Sequence, residues 1–159
     1  MWIHLYTETG LSILVHHLRM KKPVSLYLDA TGGVVSKPPE DKRRVLYYAM
    51  ALPGHGQDAP PLPVTEMISN EHSVPPLAFW LMQFLLKLSK YTSLRVHKVE
   101  TDYSWALIQA VILAFNKKSI DAYLKRTFHI IQRQQKWVNI KHFTVLYLCS
   151  AHIIKAVNN

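Results

Sequence analysis

The chain has 159 residues, of which 49% are hydrophobic and 18% are charged. That length and balance suit one globular domain with a buried core and exclude a disordered tail. Lysine and arginine total 19 against 10 acids, a formal net charge of +9, which favours polyanionic partners such as nucleic acid.

The N-terminus has neither a basic start nor a long apolar run, so we expect no secretory signal. No apolar stretch is long enough to span a bilayer. The single cysteine, Cys149, excludes an intramolecular disulfide and a multi-cysteine zinc site. We therefore expect an intracellular protein, in the nucleus or the cytoplasm.

The N-terminal third of the chain contains three predicted strands. Residues 1–23 form an extension in which the apolar run Leu11 to Val15 suits a helix packed on the domain. Val24 to Asp29 alternates as a strand does, and Gly32-Gly33 permits a tight turn into a return strand at Val34-Val35. After a polar loop, Arg44 to Leu52 is apolar on both faces and predicts a central strand, with Tyr47 and Tyr48 as packing residues.

The middle of the chain starts with a connection rich in proline and glycine, residues 53–63. A short helix is expected from Val64 to Asn70. A longer helix is expected to begin near Ser73, which suits an N-cap. The two prolines that follow Val74 are compatible with this, since proline is tolerated in the first turn of a helix. Arg95 to Thr101 then predicts a strand that ends at Asp102.

Helices dominate the rest of the sequence. Tyr103 to Phe115 is strongly apolar and suits a helix between layers. Ser119 is the expected cap of an amphipathic helix whose apolar stripe is formed by Ile120, Leu124, Phe128 and Ile131. Phe143 to Leu148 predicts a last strand, and Ser150 to Val157 begins another helix.

Three strands followed by alternating helices and strands predict an α/β fold, a mixed sheet with helices on its faces. This is the element order of the RNase H-like fold, and order alone also fits other α/β folds. In such a sheet the strands that end at Asp29 and Asp102 are neighbours, so both carboxylates can converge on one metal ion.

Carboxylates of this kind hold Mg²⁺ or Mn²⁺ in two-metal phosphoryl transfer. Glu100 lies two positions before Asp102 and points to the same face of its strand, as a supporting acid. A structural interpretation stays open, because Asp29 also suits a turn and Asp102 also suits a helix cap.

Three segments together resemble eukaryotic cut-and-paste DNA transposases with a CxxH signature, such as the hAT, Mutator-like and Kolobok-like groups. The segments are Leu-Tyr-Leu-Asp29-Ala-Thr-Gly, Glu100-Thr-Asp102-Tyr-Ser-Trp-Ala-Leu and Leu-Cys149-Ser-Ala-His152. The likeness covers residues 24–157. It implies an RNase H-like DDE/D domain in which Asp29 and Asp102 are the first two ligands of Mg²⁺ or Mn²⁺. Cys149 and His152 would be supporting residues near that site.

The sequence departs from this family pattern at the third acid, which in those transposases lies on a helix beyond the CxxH region. Asp121 is the only acid after Asp102, and it suits the N-terminus of its own helix. We therefore expect a partial RNase H-like domain over residues 24–159, incomplete at the C-terminus. Its ancestral activity would be DNA phosphodiester hydrolysis and strand transfer, weak or absent in this form.

Two other interpretations stay open. One is a non-catalytic nucleic-acid- or protein-binding module derived from a transposase. The other is a reading frame without a selected function. DNA is the expected partner, a homo-oligomer is compatible with the sequence, and neither a membrane nor a small-molecule substrate is expected.

Overall fold

The computed structural model describes residues 2–20, 23–34, 43–54, 59–133, 140 and 142–149. These residues form six strands and four helices. In chain order the elements are β1 (Trp2–Tyr6), α1 (Glu8–Arg19), β2 (Ser25–Gly32), β3 (Leu46–Leu52), β4 (Leu62–Ser69), α2 (Val74–Ser89), β5 (Lys98–Thr101), α3 (Trp105–Asn116), α4 (Ile120–Gln132) and β6 (Val145–Leu148).

The strands form one mixed sheet in the order β1-β4-β3-β2-β5-β6. β2, β3 and β4 are antiparallel neighbours, whereas β5 pairs in parallel with β2 and β6 pairs in parallel with β5. The predicted fold class is confirmed: the architecture is mixed α/β and compatible with an RNase H-like fold. This order places β2 and β5, the strands that carry the candidate acids, side by side.

One large hydrophobic core joins α1, α2 and α3 to a single face of the sheet. Leu28, Met50 and Val99 point from three neighbouring strands into this core. Trp80 of α2 is fully buried there, and its indole N–H donates to the Thr65 hydroxyl at 2.9 Å. Because side chains alternate along a strand, the intervening residues of β2 and β5 lie on the opposite face.

β4 corrects the sequence analysis, which predicted a helix from Val64 to Asn70. The segment is a strand because it pairs with β1 on one side and with β3 on the other. Thr65, Met67 and Ser69 alternate into the core and are fully buried. The antiparallel meander is therefore β2-β3-β4, and the return strand predicted at Val34-Val35 is not found at Val34. Val34 lies in a bend, and Val35 is outside the described residues.

The N-terminal segment contributes both a strand and a helix. The expected helix at Leu11 to Val15 is confirmed within α1, while β1 was not predicted and pairs with β4. The approach of α1 to the strand is close: a Cβ atom at Gly10 would lie 2.4 Å from the Pro63 carbonyl oxygen. The division of the chain at residue 23 stays a prediction.

Most other predicted elements are found with shifted bounds. Arg44 to Leu52 corresponds to the central strand β3, and Ser73 is the N-cap of α2, with proline in the first turn. Ser119 caps α4, since its hydroxyl accepts from the Ala122 N–H at 3.3 Å. The polar loop at 37–42 and the helix predicted from Ser150 lie outside the described residues. No helix in the described part is long and apolar enough to cross a membrane.

Candidate functional site

The strand register brings Asp29 and Asp102 to neighbouring positions. β2 and β5 run in parallel, and Leu28 pairs with Thr101 at the end of their ladder. Asp29 and Asp102 each follow one residue later in the sequence. The two acids therefore lie at the same level of two adjoining strands.

Asp29 does not end its strand, which corrects the sequence analysis. β2 continues to Gly32, because Asp29 and the three residues after it pair with β3. Only the ladder with β5 stops at Leu28, so Asp29 is the first residue of β2 beyond that ladder. Its side chain is exposed on the face opposite the main core and lines a hollow of about 440 Å³ beside Tyr27.

Asp102 is half-buried in the turn between β5 and α3. Its Oδ1 atom accepts a hydrogen bond from the Ser104 N–H at 3.0 Å. Ser104 is the N-cap of α3 but makes no side-chain capping hydrogen bond of its own. Asp102 therefore supports the start of α3, as the structural interpretation of this residue predicts.

Glu100 lies on the same row of the sheet as Tyr27 and Tyr147. Its Oε2 atom forms an ion pair with the Lys98 ammonium group at 3.1 Å. The same ammonium lies 4.3 Å from the centre of the Tyr147 ring. Oε2 of Glu100 is therefore engaged in an ion pair within its own strand.

Cys149 directly follows β6, as Asp102 directly follows β5. Thr101 pairs with Leu148, and the Cys149 N–H donates to the Thr101 carbonyl at 2.8 Å. The thiol is free and half-buried. His152, the other predicted supporting residue, lies outside the described residues.

Tyr48 and His72 form a contact near Asp102 that the sequence analysis missed. The Tyr48 hydroxyl lies 2.9 Å from Nδ1 of His72, and Nε2 of His72 lies 2.7 Å from the Arg44 carbonyl oxygen. Since a carbonyl only accepts, Nε2 of the neutral ring carries the proton and Nδ1 accepts from Tyr48. Burial raises the pKa of Tyr48 to about 12, and the nearby charge of Asp102 adds to the rise.

The neighbouring Tyr47 points to the opposite face of β3. Its hydroxyl donates to the Glu66 carboxylate on β4. Burial, followed by the hydrogen bond to Glu66 and the charge of Glu66, together raise the pKa of Tyr47 to about 12. Both tyrosines were predicted to be packing residues, and each is also tied to a polar partner distant in the sequence. No local pattern signals either contact.

The candidate site supplies the carboxylate oxygens that Mg²⁺ and Mn²⁺ prefer. Among the described residues, however, no group of three or more histidine, cysteine, aspartate or glutamate side chains is close enough to hold a metal ion. Asp102 does not line the hollow at Asp29, and its charge acts instead on Tyr48, whose side chain lies on the core side of the sheet. Two acids are also fewer than a complete two-metal centre uses. The described residues therefore do not by themselves form such a centre.

Comparison with known proteins links the chain to a mobile element. No family model matches the chain, and no solved structure matches it. It is 30% identical over 131 residues to the 120.7 kDa protein in the NOF-FB transposable element of Drosophila melanogaster. The match covers 80% of this chain but 12% of that protein. The chain is thus similar to one part of a larger transposon-encoded protein, which indicates a transposon-related origin.

Proposed function

We propose that the chain is an RNase H-like domain derived from a transposase, in which Asp29 and Asp102 are two carboxylates of an ancestral DNA-cleaving site. The observation that carries this proposal is the register of β2 and β5, because Asp29 in β2 and Asp102 directly after β5 each follow the last residue pair of that parallel ladder. The similarity to a transposable-element protein gives independent support.

The ancestral chemistry in this proposal is hydrolysis and strand transfer at DNA phosphodiesters. A bound pair of Mg²⁺ or Mn²⁺ ions would supply charge stabilisation of the attacking and leaving oxygens. Because the described residues offer no group of three metal-binding side chains, we propose weak metal binding and weak or absent nuclease activity. Asp102 would serve the site while its Oδ1 atom also supports the turn into α3.

Metal titration tests the role of the two acids. We expect wild type to bind Mn²⁺ weakly, and Asp29→Asn and Asp102→Asn each to lower the affinity by about tenfold or more, because each removes one charged oxygen ligand. Isothermal titration calorimetry measures the affinity.

The matched control is Asp121→Asn, which removes an exposed acid from the first turn of α4. This variant is expected to bind Mn²⁺ as wild type does. Equal affinities for wild type, Asp29→Asn and Asp102→Asn would remove both acids from the proposed site. A separate thermal melt shows whether each variant is folded.

A second candidate function is non-catalytic DNA binding by a domain of the same origin. The net charge of +9 favours it, because a basic protein releases counterions when it binds phosphates. We expect affinity for a DNA duplex that falls steeply as salt rises, unchanged by EDTA or by Asp29→Asn. Fluorescence anisotropy of labelled DNA over a salt series measures it. Absence of binding at low salt would exclude DNA as the partner and leave a protein-binding module.

A further inference from the structure

A row of four exposed cations, which we call the basic band, lies where three helices end. Its members are Arg19, Lys90, Arg95 and Lys117. Arg19 is the last residue of α1, while Lys90 and Lys117 are the C-caps of α2 and α3. The chain enters β2 after α1 and β5 after α2, and these two strands are parallel. The band therefore lies at the end of the domain where β2 and β5 begin.

The loop between α2 and β5 connects the cations of the band. The Arg19 guanidinium group donates to the Tyr91 carbonyl of this loop at 3.1 Å. Arg95, at the other end of the loop, donates to the Phe115 carbonyl in the last turn of α3 at 3.4 Å. Arg95 and Lys117 also line the same hollow of about 520 Å³. The band thus runs along the loop from the end of α1 to the end of α3.

Acids do not balance the charge of the band among the described residues. Glu8 lines a hollow beside Arg19, but its carboxylate forms an ion pair with Lys87 at 3.1 Å. No salt bridge in the described part of the chain includes a cation of the band. A helix C-terminus carries roughly half a negative charge, so four full positive charges exceed what three helix ends neutralise. The band therefore keeps a net positive charge.

Lys117 has a backbone conformation that favours glycine. Its φ is 53° and its ψ is 42°, in the left-handed region, and its N–H donates to the Leu113 carbonyl at 3.0 Å. Glycine is the usual residue in this conformation at a helix end, because a Cβ atom is disfavoured there. Stability alone therefore favours glycine at this position, whereas lysine adds an exposed ammonium group to the band.

We propose that the basic band is a DNA-binding surface that contacts the phosphates of a duplex. A row of cations complements a backbone of closely spaced phosphates. A second copy offers no such row, because no three acids of the described chain are close enough to share a metal ion. Arg95 precedes β5 and Asp102 follows it, so the band is separate from the candidate acids. This proposal rests on the second candidate function, DNA binding by the domain.

Anisotropy of a labelled DNA duplex, titrated with the full chain over a salt series, tests the band. The band variant carries Lys90→Gln and Lys117→Gln. We expect it to bind DNA about tenfold more weakly at low salt. The slope of log affinity against log salt should fall by about 2, because each lost phosphate contact removes about 1. The control carries Arg126→Gln and Arg133→Gln, which remove the same charge from exposed positions of α4 and its C-cap, and should keep the wild-type slope.

Lys117→Gly separates DNA binding from stability. This variant should unfold at the same temperature as wild type or a higher one, because glycine suits the left-handed backbone. It should nevertheless bind DNA about threefold more weakly at low salt, because the ammonium group is gone. Thermal melts and the same anisotropy titration measure the two effects. Equal DNA affinities for wild type and Lys117→Gly would overturn the proposal.

The remaining outcomes distinguish the band from DNA binding itself. If wild type binds DNA and the two double variants weaken binding equally, the band is wrong while the DNA-binding function stands. If wild type binds no DNA at low salt, both are wrong. Binding to vesicles of anionic phospholipid but not to DNA would assign the band to a membrane surface and overturn the proposal. So would self-association without DNA that the band variant abolishes.

Discussion

Tyr48 and His72 join two parts of the domain that lie 24 residues apart in the sequence. Tyr48 points from β3 into the main core, while the His72 ring bridges its hydroxyl and the Arg44 carbonyl. The contact therefore connects the loop before α2 with both β3 and the residues that lead into it. A buried hydroxyl group that forms a hydrogen bond stabilises the folded state. If the hydroxyl group is removed, the buried atom that it bonded to is left without a partner, which destabilises the folded state.

Tyr48→Phe is expected to lower the free energy of unfolding by about 1 kcal/mol, because Nδ1 of His72 loses its donor while the ring volume is kept. Alkaline pH should produce part of the same loss of unfolding free energy in the wild-type chain. The pKa of Tyr48 is about 12 in the folded chain and about 10 when unfolded, so folding favours the protonated phenol. That contribution is intact below pH 10 and is lost as pH rises toward 12. Urea unfolding at neutral and alkaline pH measures both effects.

The control for this prediction is Tyr91→Phe, which changes an exposed tyrosine. It should leave stability at neutral pH unchanged and keep the alkaline loss of wild type. The Tyr48→Phe variant should lose less stability than wild type between pH 10 and 12. An identical decline in both variants would contradict the assigned role of the Tyr48 hydroxyl.

Among the secondary-structure elements, the packing of α1 on β4 depends on a residue without a side chain. Gly10 is buried in the first turn of α1, where an added Cβ atom would lie 2.4 Å from the Pro63 carbonyl oxygen and 2.4 Å from the Thr7 hydroxyl. The Thr7 hydroxyl itself caps α1 and donates to Pro63. Glycine therefore allows the helix start, its cap and β4 to meet.

Gly10→Ala is expected to destabilise the domain by about 1–3 kcal/mol, even though alanine is the better helix former, because backbone and cap must move apart. Ser12→Ala, at an exposed position of the same helix, is the control and should be neutral or slightly stabilising. Thermal and urea unfolding measure both. If Gly10→Ala were as stable as Ser12→Ala, the close approach of α1 to β4 would be wrong.

β4 and α4 each have a property that could not be predicted from the sequence. The residues of β4 suit a short helix or a strand, and pairing with β1 and β3 decides between them. The periodicity of α4 correctly predicts a helix capped by Ser119, but not which flank the domain buries. Phe128 and Ile130 are both apolar, but α3 packs only against the side of α4 that carries Ile130. Ile130 is therefore buried and Phe128 is exposed.

On the scale of the whole molecule, one core connects the helices α1, α2 and α3 with the described sheet: buried residues come from β2, β3, β4 and β5, and Tyr6 of β1 and Leu146 of β6 pack against them. A domain held by a shared core unfolds as a unit. We therefore expect tryptophan fluorescence, to which the buried Trp80 contributes as one of four tryptophans, and far-ultraviolet circular dichroism to give the same urea midpoint. Separate midpoints or a broad, uncooperative transition would contradict this and favour a reading frame without a selected function.

Some features of the candidate site could be predicted from the sequence, and others required the structure. Asp29 and Asp102 were identified from their places after alternating apolar segments, and their alignment followed from an expected element order. β2 and β5 pair in parallel, so the prediction that these two strands are neighbours is confirmed. Asp29 lies within β2, whereas Asp102 follows β5 directly. Their role as metal ligands stays a prediction, as do the roles of Glu100, Cys149 and His152.

By itself the sequence determined the composition of a basic globular domain, its α/β class and the positions of its two strand-associated acids. These properties depend on local patterns: alternation, helical spacing, caps and net charge. Only the tertiary structure decided that β1 and β4 complete the sheet, that Tyr48 meets His72, and that α4 exposes Leu124 and Phe128. Those outcomes depend on contacts between residues far apart in the chain, for which local patterns carry no signal.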